Sequence, residues 1–179
     1  MKPFLVKKLR IKEWDEAVSG LWLAENEEWV LLRRLYDYRP DGYVLVAKSY
    51  IESDTKSRSE AQTARVLKLK GIDNAVPEGF MFGNVVQMFQ CIQQQYQLFQ
   101  FQDEEDSSFC GQLRDYDETG FRINSLSPRA ELDLDYDLWF RFNELVTIDF
   151  ENDYLASLAL LWQDKARRKW KINQRIQSN

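Results

Sequence analysis

The feature that most constrains the fold is an alternating run of side chains at residues 131–143. Every second position in this run, from Leu132 to Phe142, is apolar, and most of the positions between are acidic. Successive side chains of a β-strand point to opposite faces of a sheet, whereas a helix would mix the two sets. The pattern therefore predicts one long, half-buried strand. Its buried residues would include Leu134, Leu138 and Phe140, and its water-facing residues Asp133, Asp135 and Asp137.

Shorter segments of the same character occur in both halves of the chain, and helical segments separate them. Ser59, Asn84 and Asn152 can each accept a hydrogen bond from a free N–H group in the first turn of a helix. They predict helices near residues 59–70, 84–96 and 153–175. The predicted strands are residues 4–11, 18–23, 29–35, 43–47, 98–101, 109–113, 121–124 and 145–148, in addition to the long strand.

The order of these elements occurs twice along the chain. Three landmarks repeat at offsets of 91, 92 and 93 residues: Gly20 with Gly111, Trp29 with Phe121, and the helix start at Ser59 with that at Asn152. Many short antiparallel strands commonly close into barrels, because closure removes exposed edges. We therefore predict an α+β, mainly β protein of two tandem five-stranded barrels, each with an associated helix, and a long C-terminal helix. The predicted domains are residues 1–76 and 84–179.

Two short motifs follow the predicted helix of the second half. Gly111-Gln-Leu113-Arg-Asp-Tyr116-Asp117 precedes Ile123-Asn124, and Phe140-Arg141-Phe142-Asn143 precedes Leu145-Val146-Thr147-Ile148. Over residues 84–148 they resemble the two motifs of the Sm-like family of small RNA-associated barrels, and the first half would be a degenerate repeat. Phe142 stands where that family has a glycine, and the spacing from Asp117 to Asn124 is longer by a few residues. The resemblance implies an Sm-like or SH3-like barrel, with Asn124 and Arg141 lining a pocket for an RNA base.

The net charge of −5 is unevenly distributed. Residues 1–80 are nearly neutral, residues 81–164 carry a net charge of −12, and residues 165–179 carry +6 with no acidic residue. A general nucleic-acid binder would show a basic stripe, which most of this chain does not have. The basic run is a second candidate RNA contact, through Lys165, Arg167, Arg168, Lys169 and Lys171. The favoured explanation of the same run is a helix end that complements the helix dipole and the acidic body.

Composition argues against most catalytic and metal sites. The chain has no histidine, the commonest general base near neutral pH, and its two cysteines lack metal-site spacing. The spacing of Asp133, Asp135, Asp137 and Glu144 is similar to that of a calcium loop, but Leu138 stands where such a loop needs glycine. Strand alternation explains the same acidic residues. We therefore expect no enzymatic activity, no cofactor and no metal.

The first residues form only a short apolar run, too short for a secretory signal or a membrane span. We therefore expect a cytoplasmic protein without a membrane partner. The favoured interpretation is a non-enzymatic binding or adaptor protein, built from tandem Sm-like barrels, whose ligand is another protein. The alternative is an RNA-binding protein that uses Asn124, Arg141 and the basic C-terminal run. The sequence leaves the oligomeric state open.

Overall fold

The computed structural model describes residues 3–55, 57–133 and 135–177, with side chains described as far as Lys169. Its strands are β1 (Val6–Ile11), β2 (Val18–Glu25), β3 (Trp29–Tyr36), β4 (Arg39–Ala47), β5 (Ile51–Thr55), β6 (Phe99–Gln102), β7 (Phe109–Tyr116), β8 (Gly120–Ser125), β9 (Phe140–Arg141) and β10 (Thr147–Phe150). Its helices are α1 (Arg58–Leu69), α2 (Val85–Tyr96) and α3 (Asp153–Gln177), with short 3-10 turns at Lys48–Tyr50 and Phe142–Glu144. The strands form one antiparallel sheet in the order β5-β1-β2-β3-β4-β10-β6-β7-β8-β9.

The prediction of two closed barrels in tandem is wrong, because these strands form a single open sheet of ten strands across the described residues. Strand β4 pairs with β10, from Val46 opposite Thr147 to Tyr43 opposite Phe150. The free edge of β4 is thus paired by a strand of the other half instead of by closure within its own half. Strand patterns in a sequence specify which face is buried, but they do not specify which edge a strand will join.

The two halves nevertheless share a strand order within this sheet. The first half is ordered β5-β1-β2-β3-β4, and the second β10-β6-β7-β8-β9. In both halves a 3-10 turn joins the fourth strand to the fifth, and a helix follows the fifth strand. The division into domains at residues 1–76 and 84–179 stays a prediction, and the sheet runs without a break across that boundary.

The two faces of the sheet carry separate cores. The largest core lies under α1 and α2 and draws on both halves, with Leu31 and Leu45 from the first half and Phe101 from the second. Phe101 lies 5.2 Å from Phe121 and 4.7 Å from Phe140, measured between ring centroids. On the opposite face, one cluster joins β1, β3 and β4, and another lies beneath α3. Helices α1 and α2 therefore cover part of one face of the sheet, and α3 covers part of the other.

The helices begin at or near the residues that the sequence indicates. Helix α2 follows Asn84, which accepts a hydrogen bond from the Gln87 N–H at 2.9 Å, while the Gln87 side chain accepts one from the Asn84 N–H at 3.0 Å. Helix α3 follows Asn152, whose side chain accepts a hydrogen bond from Leu155 N–H at 2.8 Å. Helix α1 begins two residues early, because Ser57 forms the capping pair instead of Ser59. Among the described residues, none of the helices combines the length and apolar content needed to cross a lipid bilayer.

Residues 131–139 do not form the long strand that their alternation predicts. Leu132 makes an isolated bridge to Leu126, and the strand β9 is only two residues long. The Asp133 side chain accepts a hydrogen bond from Asp135 N–H at 3.2 Å, so this segment turns where a strand would continue. Phe140 is buried and the three aspartates are exposed, as predicted. Leu138 is 53% exposed, contrary to the prediction, and Leu134 lies outside the described residues.

Replacing Phe140 by alanine should destabilise the protein by about 3–5 kcal/mol, because the ring fills the aromatic core between Phe101 and Phe121. Asp135→Ala should change the free energy of unfolding by less than about 0.5 kcal/mol, since this residue is exposed. Urea denaturation of both variants measures the difference. Equal destabilisation by the two substitutions would mean that Phe140 is not a core residue.

Candidate functional site

A groove lies where both halves of the chain meet on the face covered by α2. It consists of two adjoining cavities of about 590 and 510 Å³, which share Glu28, Val85 and Phe142 as lining residues. Five elements form its walls: the turn before β3, the 3-10 turn after β4, the first turn of α2, the turn between β7 and β8, and the 3-10 turn before β10. Each half of the chain contributes two or more side chains, so the groove depends on the continuous sheet.

The floor of the groove is largely apolar. Val85 and Phe142 are half-buried and pack on the largest core, and Phe142 stacks on Phe121 with 5.5 Å between ring centroids. Tyr116 lines the same groove and is 52% exposed. Partly exposed aromatic and aliphatic side chains in a concave surface favour the burial of another apolar side chain.

Two hydrogen-bonded turns fix the rim of the groove. Asn26 accepts hydrogen bonds from the N–H groups of Glu28 at 3.0 Å and Trp29 at 2.7 Å, which holds this turn closed. Across the groove, Asp117 accepts hydrogen bonds from Thr119 N–H at 2.6 Å and from Gly120 N–H at 3.2 Å. Both turns are built from short polar side chains that bond to their own backbone. The acidic residues on them are therefore held in defined positions.

The rim carries four carboxylates, of Glu27, Glu28, Asp117 and Glu118, and all four residues are exposed. Hydrogen bonds from Thr119 hold the pKa of Asp117 below its usual range, so this residue remains ionised at neutral pH. Lys48 also lines the groove, and its ammonium lies 3.2 Å from the Glu25 carboxylate. The groove thus combines an apolar floor with a negatively charged rim, which suits a ligand that is both apolar and cationic.

A second cleft, of about 450 Å³, lies on the opposite face at the junction of the two halves. Arg34 lines it and donates a hydrogen bond to the buried Asp149 at 2.7 Å. Burial raises the pKa of Asp149, and the Arg34 guanidinium offsets part of that rise. Beside this pair, Thr147 donates a hydrogen bond to the Gln102 side chain at 3.2 Å. These groups bond to one another, so we assign the cleft to stability and not to ligand binding.

The two residues implied by the Sm-like resemblance lie on neighbouring strands but do not come together. Arg141 lies opposite Gly120, and Asn124 is four residues further along β8. At about 3.3 Å per residue, this places their backbones about 13 Å apart. Both are exposed, and the Arg141 guanidinium lies 3.9 Å from the Glu144 carboxylate. Their role in RNA binding stays a prediction.

The basic candidates lie in the second half of α3. Lys165 donates a hydrogen bond to Glu131 at 2.7 Å, and Arg168 lies 2.7 Å from Asp164 one helical turn away. Arg167 and Lys169 are exposed. The side chain of Lys171 lies outside the described residues. Two of the four candidates whose side chains are described therefore pair with acidic residues of the same chain.

One carboxylate of the calcium-like spacing, that of Asp137, is paired with two arginines. Asp137 accepts hydrogen bonds from Arg114 and Arg122, and Arg122 also bonds to Asp115 at 2.8 Å. Within the part of the chain that the structure describes, no three histidine, cysteine, aspartate or glutamate residues are grouped as a metal site would require. Both cysteines are free, and burial raises the pKa of the Cys110 thiol to about 12.

Sequence reasoning did not identify the groove. In the sequence, the floor residues Val85 and Phe142 have the pattern of ordinary core positions in a helix and a strand. The rim residues have the pattern of solvent-exposed turns. The groove arises from pairing between distant segments, which local patterns do not contain. The one available signal was the concentration of acidic residues in 81–164, which indicates a negative surface without placing it.

No family model, curated protein or solved structure matches this chain. The resemblance to the Sm-like family therefore stays a prediction that rests on its two short motifs.

Removing one member of the junction ion pair should be costly, because it leaves a buried group without its partner. Arg34→Ala should destabilise the protein by about 3–5 kcal/mol, and replacing both Arg34 and Asp149 by leucine should recover most of that loss. Without Arg34, nothing offsets the effect of burial, and the pKa of Asp149 rises further. The variant therefore loses stability as pH rises through that pKa. Its loss of stability relative to the wild type is smallest in acid. Urea denaturation at acidic and neutral pH measures this.

Arg39→Ala is the matched control for that experiment, since Arg39 is exposed on β4. A deficit in Arg34→Ala that equals the control, or that does not change with pH, would contradict a stabilising role for the pair.

Proposed function

We propose that this protein is a non-enzymatic binding protein whose groove takes a segment of a protein partner. The observation that carries the proposal is the groove itself, with its apolar floor at Val85, Phe142 and Tyr116 and its four rim carboxylates. The matching segment presents an apolar or aromatic side chain to the floor and lysine or arginine to the rim. As part of the same proposal the protein acts in the cytoplasm, where its two free cysteines would stay reduced.

The floor and the rim make different contributions to binding. Burying one large apolar side chain contributes about 1.5–3 kcal/mol, which makes the floor the main source of affinity. Exposed rim charges contribute less to affinity, but they speed association and exclude acidic ligands. We therefore expect binding to weaken with salt without being abolished, because the apolar contribution is not screened.

A random peptide library displayed on phage tests this proposal without knowledge of the natural partner. We expect the wild-type protein to select peptides that combine an aromatic or aliphatic residue with lysine or arginine. A rim variant, Glu28→Lys with Glu118→Lys, should bind the selected peptides at least about tenfold more weakly, because it cancels the net negative charge of the rim. Tyr116→Ala should also weaken binding of the selected peptides, because it removes an aromatic side chain from the apolar floor.

A control variant, Glu78→Lys with Glu104→Lys, changes the net charge equally at exposed positions outside the groove. It should bind the selected peptides like the wild type. Peptides that bind the rim variant and the wild type equally well would show that the groove is not the binding site, and the proposal would fall.

The competing function is RNA binding, and the exposure of Arg141, Arg167 and Lys169 is the observation that favours it. Under our proposal, short single-stranded RNA should show no measurable binding to the wild-type protein at physiological salt. Fluorescence anisotropy with labelled RNA measures this. Micromolar affinity that is lost in Arg141→Ala or Asn124→Ala would replace our proposal with the RNA function. Binding that depends only on residues 165–179 and disappears in moderate salt would be a nonspecific phosphate contact.

A further inference from the structure

We propose that the partner segment is the basic end of α3 (residues 165–177) of a second copy of this chain, so that the protein associates with itself head to tail. This inference rests on the proposed function of the groove and identifies its ligand.

The basic end of α3 extends beyond the packed body. On the inner face of α3, Leu155 and Leu158 are buried and Trp162 is half-buried. The residues from Ala166 to Lys169 are exposed. Lys165 is still held by Glu131. Helix α3 continues to Gln177, so the part after Lys165 is about 18 Å long at a rise of about 1.5 Å per residue. That length is sufficient to reach another molecule.

The composition of this helix end matches the two parts of the groove. Residues 165–177 contain six lysine and arginine residues and no acidic residue. The same stretch of sequence contains one tryptophan and two isoleucines, Trp170, Ile172 and Ile176. Cations suit the four rim carboxylates, and an aromatic or aliphatic side chain suits the floor. One short segment therefore supplies both kinds of contact that the groove requires.

The helix end cannot enter the groove of its own molecule. Phe109 and Cys110 are consecutive residues of β7 and therefore point to opposite faces of the sheet. Cys110 packs with Leu155 and Leu158 in the cluster beneath α3, whereas Phe109 packs on the core that also underlies Val85 and Phe142 of the groove. A continuous helix on one face cannot turn back to the other. Docking is therefore between molecules.

The contact joins two different surfaces, so a pair of molecules keeps one unused groove and one unused helix end. Such a heterologous interface builds rings or open chains instead of a symmetric dimer. One helix end in a groove is a small contact, and small contacts are among the weaker, transient interfaces. Salt should weaken it, because lysine and arginine face carboxylates near water.

Complementation between two full-length variants tests the proposal. The tail variant is Arg167→Glu with Lys169→Glu, which alters exposed residues of α3, and the rim variant is the one defined above. In sedimentation velocity at low salt, wild-type protein should associate as concentration rises, and each variant alone should stay monomeric. Each variant retains one intact surface, so an equimolar mixture of the two should form a one-to-one dimer that grows no further. The Glu78→Lys, Glu104→Lys control should associate like the wild type.

Three results would overturn the inference: a wild-type protein that is monomeric at all concentrations in low salt, association that survives in either variant, or a mixture that forms no dimer. The phage selection separates this failure from failure of the proposed function. Peptides that depend on the rim, selected by a protein that does not self-associate, would leave the groove as a binding site for another protein. If the protein selects no rim-dependent peptides and does not self-associate, the proposed function and this inference both fall.

Discussion

The pairing of β4 with β10 is the interaction on which the rest of the structure depends. On one face of this pair, Tyr43 stacks on Phe150 with 5.3 Å between ring centroids, and Phe80 stacks on Phe150 at 5.7 Å. On the other face, Asp149 accepts a hydrogen bond from Arg34. The joint is therefore apolar on the side of the main core, and on the other side Val44 and Val46 lie opposite the polar Asp149 and Thr147. Breaking the joint would expose two strand edges and separate Asp149 from its cation.

The groove is a consequence of this joint. Strand β10 follows the 3-10 turn that contains Phe142, so pairing it with β4 brings Phe142 beside the first-half turn that carries Glu27 and Glu28. Helix α2 then packs over both halves and places Val85 at the bottom of the groove. Neither half alone has both the floor and the complete rim.

Local signals in the sequence predicted local structure well and long-range structure poorly. The caps at Asn84 and Asn152 depend on residues within one turn of the helix, and both form as expected. The prediction of a long strand was wrong over residues 131–139, because alternation determines which side chains are buried only where a partner strand exists. Here Asp133 forms a turn instead. The joint and the groove could not be predicted, because they depend on which distant edges pair. The resemblance implied that Asn124 and Arg141 line one pocket, but no sequence pattern could show that Arg141 pairs with Gly120, four residues from Asn124 along β8.

The uneven distribution of charge along the chain separates the acidic body of the structure from the basic end of α3. Part of the basic run does complement the acidic body, since Lys165 bonds to Glu131 and Arg168 to Asp164. The contact of Lys165 with Glu131 lies where α3 still packs on the sheet. After Arg168 the sequence of the helix continues with cations and no acidic residue. Stability of a single molecule needs no such extension, because a helix end in water gains little from its last turns. A second molecule that presents an acidic, apolar groove would give those turns a partner.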